Sequence, residues 1–149
     1  MAGSGFQMDE MTAADYDDVT ELWRNTKGVG LDADTDTGEG ITAYLARNPG
    51  LSYVARRGGQ VVGAVLCGHD GRRGYLHHLA VAATERHQGI GRALVAACLA
   101  KLGQLGIRTC NIFLFSDNEA GEGFWKAVGW LERTDLKILQ KPTTISQHE

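Results

Sequence analysis

Arg86-His87-Gln88-Gly89-Ile90-Gly91-Arg92-Ala93 joins two segments of opposite pattern. Before it, Tyr75 to Ala82 has the length and apolar content of a strand. After it, Ile90, Leu94, Val95, Cys98, Leu99 and Leu102 recur with the 3.6-residue period of a helix face, and Gly106 stands where a helix stops. The octapeptide is therefore a glycine-rich turn from a strand into a long helix, Ile90 to about Leu105. The first N–H groups of a helix have no partner inside it and carry the positive end of its dipole. Gly89 and Gly91 let an anion approach that backbone, and Arg86 and Arg92 add charge. The arrangement suits a phosphate or diphosphate, though a glycine-rich turn can also exist without a ligand.

Two familiar phosphate loops do not fit. A dinucleotide fingerprint needs a third small residue where Leu94 stands, and an acidic residue where Thr109-Cys110-Asn111 lies. A nucleotide-triphosphate loop needs four residues between its glycines and then Gly-Lys-Ser/Thr, and no such stretch occurs.

Upstream, the chain reads as a meander. Leu51 to Arg56 and Val61 to Cys67 are strands joined by Arg57-Gly58-Gly59-Gln60, a hairpin signal. His69 to Gly74 turns the chain again into the strand at Tyr75; His69 and Asp70 in that turn are read as solvated. Phe6 to Met11 predicts a first strand. Thr12 with Asp15 three residues later marks a helix start, and Tyr16, Val19, Leu22 and Trp23 form its apolar stripe. A short helix follows over Ile41 to Asn48. Downstream, Arg108 to Phe115 predicts a strand apolar enough for burial on both faces, Glu119 to Val128 a helix stopped by Gly129, and Trp130 to Leu139 strand-like closing material. The expectation is one α/β layered domain over residues 1–149: a mixed, mostly antiparallel sheet flanked by about four helices, with 141–149 a flexible tail.

Composition narrows the function. The 149 residues are 43% hydrophobic and 22% charged, ordinary for a globular chain, and the net charge of −3 argues against nucleic acid as the partner. No apolar run reaches the ~18–20 residues of a membrane helix. Met1 to Phe6 lacks the basic and apolar regions of a signal peptide. Three widely spaced cysteines, none in a CxxC, give neither a zinc site nor a disulfide framework. A cytoplasmic chain with no metal and no membrane partner is expected. Gly28 to Glu39 is acidic and glycine-rich. It is a solvated loop or the negative lip of a substrate site, where Asp32, Asp34 and Asp36 would draw in a cation. Its alternating aspartates lack the glycine and terminal glutamate of a calcium loop.

A second constellation is Asn118-x-x-Ala120-x-x-x-Phe124-Trp125-x-x-x-Gly129-Trp130. Together with Leu79-Ala80-Val81 and the Arg86–Ala93 turn, it resembles the GNAT superfamily of N-acetyltransferases in motif and in order of elements from Phe6 to Leu139. The resemblance implies acetyl-CoA as co-substrate and an amine on a small molecule or peptide as acceptor, with direct transfer in a ternary complex. It implies that Leu79, Ala80 and Val81 lie on a splayed strand whose backbone bonds the pantetheine arm and polarises the thioester carbonyl. Arg86, His87, Gln88, Gly89, Ile90, Gly91 and Arg92 would surround the diphosphate, and Asn118 would bond the arm, although Asn118 is also a natural helix N-cap. The open edge of such a sheet would also support a homodimer.

Two departures follow. Relatives often hold a tyrosine acid at the position of Trp125, and indole cannot release a proton in this pH range. Trp125 would instead pack under the pantetheine. Relatives with a glutamate base carry it on the strand holding Phe113, where this chain has no carboxylate. His77 and His78 remain as candidate bases. Strand alternation puts His77 with Tyr75 and Leu79 and sets His78 on the opposite face, which favours His77; both could equally be structural. Cys98 and Cys110 are read as packing residues. Two other classes stay open: a non-catalytic acyl-CoA-binding regulatory module, and a partner-binding domain without a ligand.

Overall fold

The structure is a computed structural model that describes residues 5–144. The chain divides into two compact units, Met1–Asn118 and Glu119–Glu149. The first carries a five-stranded sheet in the order β1-β2-β3-β4-β5, formed by Gln7–Glu10, Tyr53–Arg57, Gln60–His69, Gly74–Val81 and Cys110–Ile112. Every pairing is antiparallel except β4 with β5. Gly58 and Gly59 have φ of +59° and +82°, the left-handed pair that a two-residue hairpin requires.

Alternate residues of β3 reach opposite layers. Gly63 lies against Ile90 and Leu94 of α3 (Ile90–Gln104); a Cβ there would come within 2.9 Å of Ile90 Cγ2. Ala64 and Leu66 join Val19, Leu22 and Trp23 of α1 (Tyr16–Arg24) and Ile41 of α2 (Gly38–Arg47) in the main core. One helical layer thus covers each face of the sheet. Trp23 is 1% exposed, and truncating such a residue typically costs about 3–5 kcal/mol.

The entry to α1 is built by Asp15. Its carboxylate accepts from Thr12 N at 2.9 Å, completing a capping box, and is paired with the Arg56 guanidinium of β2. A 3-10 turn over Ala13–Asp15 comes first, so the α-helix proper starts at Tyr16. Helix α2 begins earlier than Ile41 because Thr37 Oγ1 accepts from Gly40 N at 3.0 Å and caps it.

Three expectations are corrected. Leu99 is 39% exposed, since it lies nearly half a turn around α3 from Ile90, at the margin of the buried stripe. β5 spans three residues rather than eight, and Phe113 and Phe115 are 56% and 60% exposed instead of buried on both faces. The cause is in β4, which runs beside β5 only over Gly74–Leu76. Among the described residues, Trp130 to Leu139 forms no strand, and Leu131 and Leu139 are about nine-tenths exposed, at 89% and 91%. An apolar run becomes a strand only where another offers its backbone. Residues 141–144 have no regular structure; the rest of the expected tail lies outside the described residues.

The second unit holds α4, Glu119–Ala127. Trp125 is 7% exposed and meets Trp130 edge-on at 4.9 Å, and Trp130 N donates to Trp125 O after Gly129 at φ +99°.

Candidate active site

The register of β4 against β3 slips by one residue. His77 faces Leu66 and Ala80 faces Ala64, so His78 and Leu79 together oppose Val65. This is a β-bulge, and His78 takes φ +57° to make it. The extra residue overturns the expected alternation. Leu76 pairs with Cys67, whereas His77 and Ala80 pair with residues of the α1-side core. His78 turns to that side as well: its ring meets the buried Trp23 edge-on at 5.1 Å and lies 6.5 Å from the His77 ring.

Pairing with β5 ends just before the bulge. Beyond Leu76 and Ile112 the two parallel strands have no further pairs, so the Leu79–Val81 stretch lies past the end of the β5 ladder.

His77 sits among aromatic rings. Tyr75, His77 and Phe113 form a triangle of nearly parallel rings, each 5.9–6.4 Å from the other two, with Tyr44 edge-on to His77 at 6.2 Å. Burial, and then the neighbouring His78, push the His77 imidazole below its ordinary value of 6.5, with Asp36 acting weakly in the opposite sense. The surroundings thus favour the neutral imidazole. The aromatic surround was not legible in the sequence, because Tyr44 and Phe113 come from separate segments.

The acidic loop does not behave as a uniform lip. Asp34 is exposed, and Asp32 folds back so that its carboxylate accepts from Asp34 N and Thr35 N at 2.8 and 3.0 Å, which lowers its pKa. Asp36 points inward. Its Oδ2 lies 2.9 Å from His78 Nε2 and accepts from Asp32 N at 2.7 Å, and its backbone carbonyl accepts from the Tyr16 hydroxyl at 3.1 Å.

Arg86–Gly89 leads into α3 through two left-handed residues, His87 at φ +64° and Gly89 at φ +84°. Such turns aim successive backbone N–H groups into one concavity. Arg86 through Gly89 are exposed, and a Cβ on Gly89 would meet nothing within 4 Å, so the mouth is open to a bulky anion. Arg86 does not simply project outward, since its Nε donates to Val81 O at 3.2 Å. Gln88 Oε1 is held by Arg57 at 3.0 Å, a partner that sequence reading missed. Asn118 closes the loop over residues 115–118 against Gly28: a Cβ on Gly28 would come to 2.7 Å from Asn118 Nδ2. His69, read as a solvated turn residue, ends β3 and is half-buried, whereas Asp70 is exposed; His69 Nδ1 accepts from Gly71 N, and Asp70 Oδ1 from Arg72 N and Arg73 N.

The thiols are unsuited to nucleophilic work. Cys67 and Cys98 are buried, and a hydrogen bond with Cys67 together with burial pushes the Cys98 thiol up. Burial pushes Cys110 up to about 12.

A mixed sheet between helical layers, whose bulged fourth strand leads through two left-handed residues into the N-terminus of α3, is the architecture of an acyl transferase. The chain belongs to the acetyltransferase (GNAT) family, whose model matches residues 16–130 and so spans both compact units. It is 31% identical over 134 residues to an acetyltransferase of Yersinia enterocolitica, covering 90% of this chain and 93% of that one. Among solved structures, Ard1 from Thermoplasma volcanium superposes with a TM-score of 0.74 at 20% identity, over 85% of this chain and 82% of that one. The PaiA N-acetyltransferase from Thermoplasma acidophilum, solved in complex with coenzyme A, gives 0.74 at 16% identity, over 84% and 89%. The protein is accordingly an acetyl-CoA-dependent acetyltransferase, which sets aside a ligand-free domain and a non-catalytic module. No helix among the described residues is long and apolar enough to cross a membrane.

Proposed function

We propose that the protein transfers an acetyl group from acetyl-CoA directly to a cationic amine in a ternary complex, using His77 as the base. The observation that carries this reading is the bulge at His78. The Leu79–Val81 backbone beyond it is not paired with β5, and the half-buried His77 just before it lies beside the Tyr75 and Phe113 rings and 6.5 Å from the His78 ring that Asp36 engages.

The diphosphate of the co-substrate fits the exposed mouth at His87–Gly91, where backbone N–H groups and the dipole of α3 meet its charge, with Arg92 adding to them. Asn118 is suited to bond the pantetheine arm. Main-chain N–H groups at Leu79–Val81 are suited to polarise the thioester carbonyl, commonly the largest catalytic contribution.

In the reaction, His77 takes a proton from the acceptor ammonium, directly or through water. The neutral nitrogen attacks the thioester carbonyl carbon, the oxyanion collapses, and the C–S bond breaks. The thiolate then takes the proton that the nitrogen sheds on becoming an amide. With Trp125 in place of a tyrosine this protonation needs no side-chain acid, because a thiolate is a tolerable leaving group.

For the acceptor, Asp32 and Asp34 supply a negative field at the entrance. Asp36 serves differently from the expectation that it binds substrate, since its carboxylate is engaged by His78. The test is a panel of small-molecule and peptide amines with acetyl-CoA, read by release of the CoA thiol. Turnover with cationic amines and none with acidic ones supports the reading. Turnover that ignores acceptor charge removes the cationic assignment.

A further inference from the structure

Arg57 ends β2, between β1 and β3 in the sheet, and belongs to neither family motif. Its guanidinium nevertheless gathers three segments. Nε donates to Glu85 Oε1 at 2.8 Å, one terminal nitrogen donates to Gln88 Oε1 at 3.0 Å, and the other donates to Gly5 O at 3.0 Å. The Arg57 and Glu85 side chains are only 23% and 18% exposed. Glu85 and Gln88 flank His87, which holds a left-handed backbone that a non-glycine residue adopts at a cost and keeps only when its surroundings enforce it. Upstream the loop is tied by Ala82 N to Val62 O at 2.8 Å, and downstream it enters α3. Arg57 grips it between those anchors.

We propose that Arg57 is a positioning residue for the diphosphate of acetyl-CoA: it holds Glu85 and Gln88 so that the His87–Gly91 backbone keeps its anion-binding curvature before the ligand arrives. The proposal rests on the reading of that loop as the diphosphate site. Glu85 neutralises the Arg57 charge at close range, so Arg57 acts through geometry rather than as a phosphate ligand. When a binding-competent shape is only partly populated, apparent affinity falls by that fraction. A loop released to one competent conformer in ten would bind CoA about tenfold more weakly.

The experiment measures CoA binding by calorimetry and acetyl-CoA kinetics on the full chain for Arg57→Met, Glu85→Gln, the double variant and Gly91→Asp, each at low and high salt. Arg57→Met is expected to raise the CoA dissociation constant and the acetyl-CoA KM about tenfold, with kcat at saturation within about twofold of the parent. That loss should be the same at both salt concentrations. The double variant should lose little more than either single one, because both break the same grip. A loss that shrinks at high salt would make Arg57 a direct charge partner of the ligand and overturn the proposal. So would additive losses, or a lowered melting temperature with unchanged CoA affinity. Gly91→Asp separates the two levels. If it leaves CoA binding intact, the diphosphate reading fails and the proposal with it. If it abolishes binding while Arg57→Met binds normally, the loop reading stands and the Arg57 proposal alone falls.

Discussion

Asp36 Oδ2 and His78 Nε2 lie 2.9 Å apart, a bond between the acidic loop and the bulge of β4. Both side chains are largely buried, at 10% and 18% exposure, so this contact is less screened than a surface pair. It ties the loop following α1 to the bulged residue. Asp36→Ala is expected to destabilise the fold by about 1–3 kcal/mol, the usual cost of leaving a shielded partner unsatisfied, and to raise the acceptor KM while CoA affinity stays at the parent value. Asp34→Asn, at an exposed position, should change stability by no more than about 0.5 kcal/mol. Thermal melts and acceptor titrations of both variants check the contrast; equal behaviour would return Asp36 to the role of a simple surface charge.

His77 should dominate the pH profile. Its pKa lies below 6.5 in the folded chain, so the neutral base persists under mildly acidic conditions and the acid limb of kcat should fall below pH 6.5. His77→Gln is expected to lower kcat about tenfold or more, with CoA affinity intact. His78→Gln should chiefly lower the melting temperature, through loss of the Asp36 contact. Full turnover and an unaltered acid limb in His77→Gln would leave β4 supplying backbone groups alone.

The same shift has a sign in stability. The unfolded chain binds a proton on this imidazole at higher pH than the folded chain does, so acidification favours unfolding. The contribution of His77 is present above pH 6.5 and is lost as the pH falls through its lowered folded value. Melting temperatures of parent and His77→Gln should converge toward alkaline pH and separate toward acid, with the parent losing more. Parallel curves would contradict the desolvated environment.

CoA should stabilise the parent by about 2.7 kcal/mol at one hundred times its dissociation constant. Gly91→Asp, which puts bulk and negative charge at the start of α3, should erase that gain. A thermal-shift titration reads both.

The two arginines of the loop should differ. Arg92→Ala is expected to weaken CoA binding more at low salt than at high salt, as a purely electrostatic partner would. Arg86→Ala also removes the bond to Val81 O, so part of its loss should survive high salt. Identical salt dependence in the two variants would show that the Arg86–Val81 bond does not matter for binding.

These contrasts mark where local sequence carries information and where it does not. The meander, α3 and the turn into it are written in nearest neighbours: Gly58-Gly59 for the hairpin, the Ile90–Leu102 stripe for the helix, Gly89 for the left-handed turn that opens it. The bulge is not. A histidine inside an apolar run carries no mark of a left-handed backbone, and His78 adopts it because Trp23 and Asp36, from distant segments, receive its ring. The error at His78 then propagates. It reverses the facing of the residues that follow and turns Asp36 from a lip into a tether. Arg57 was invisible for the same reason, since its partners lie 28 and 31 residues away.

The cysteines have a practical consequence. Each catalytic cycle liberates one molecule of free thiol, and an aromatic disulfide reagent detects it by exchange with a thiolate. Cys67 and Cys98 are sealed in the core, and Cys110 keeps its proton up to about pH 12, so the folded protein offers that reagent almost no nucleophile. Colour in a continuous assay then counts product alone. A slow colour rise in enzyme without acetyl-CoA would report the fold opening rather than the chemistry proceeding.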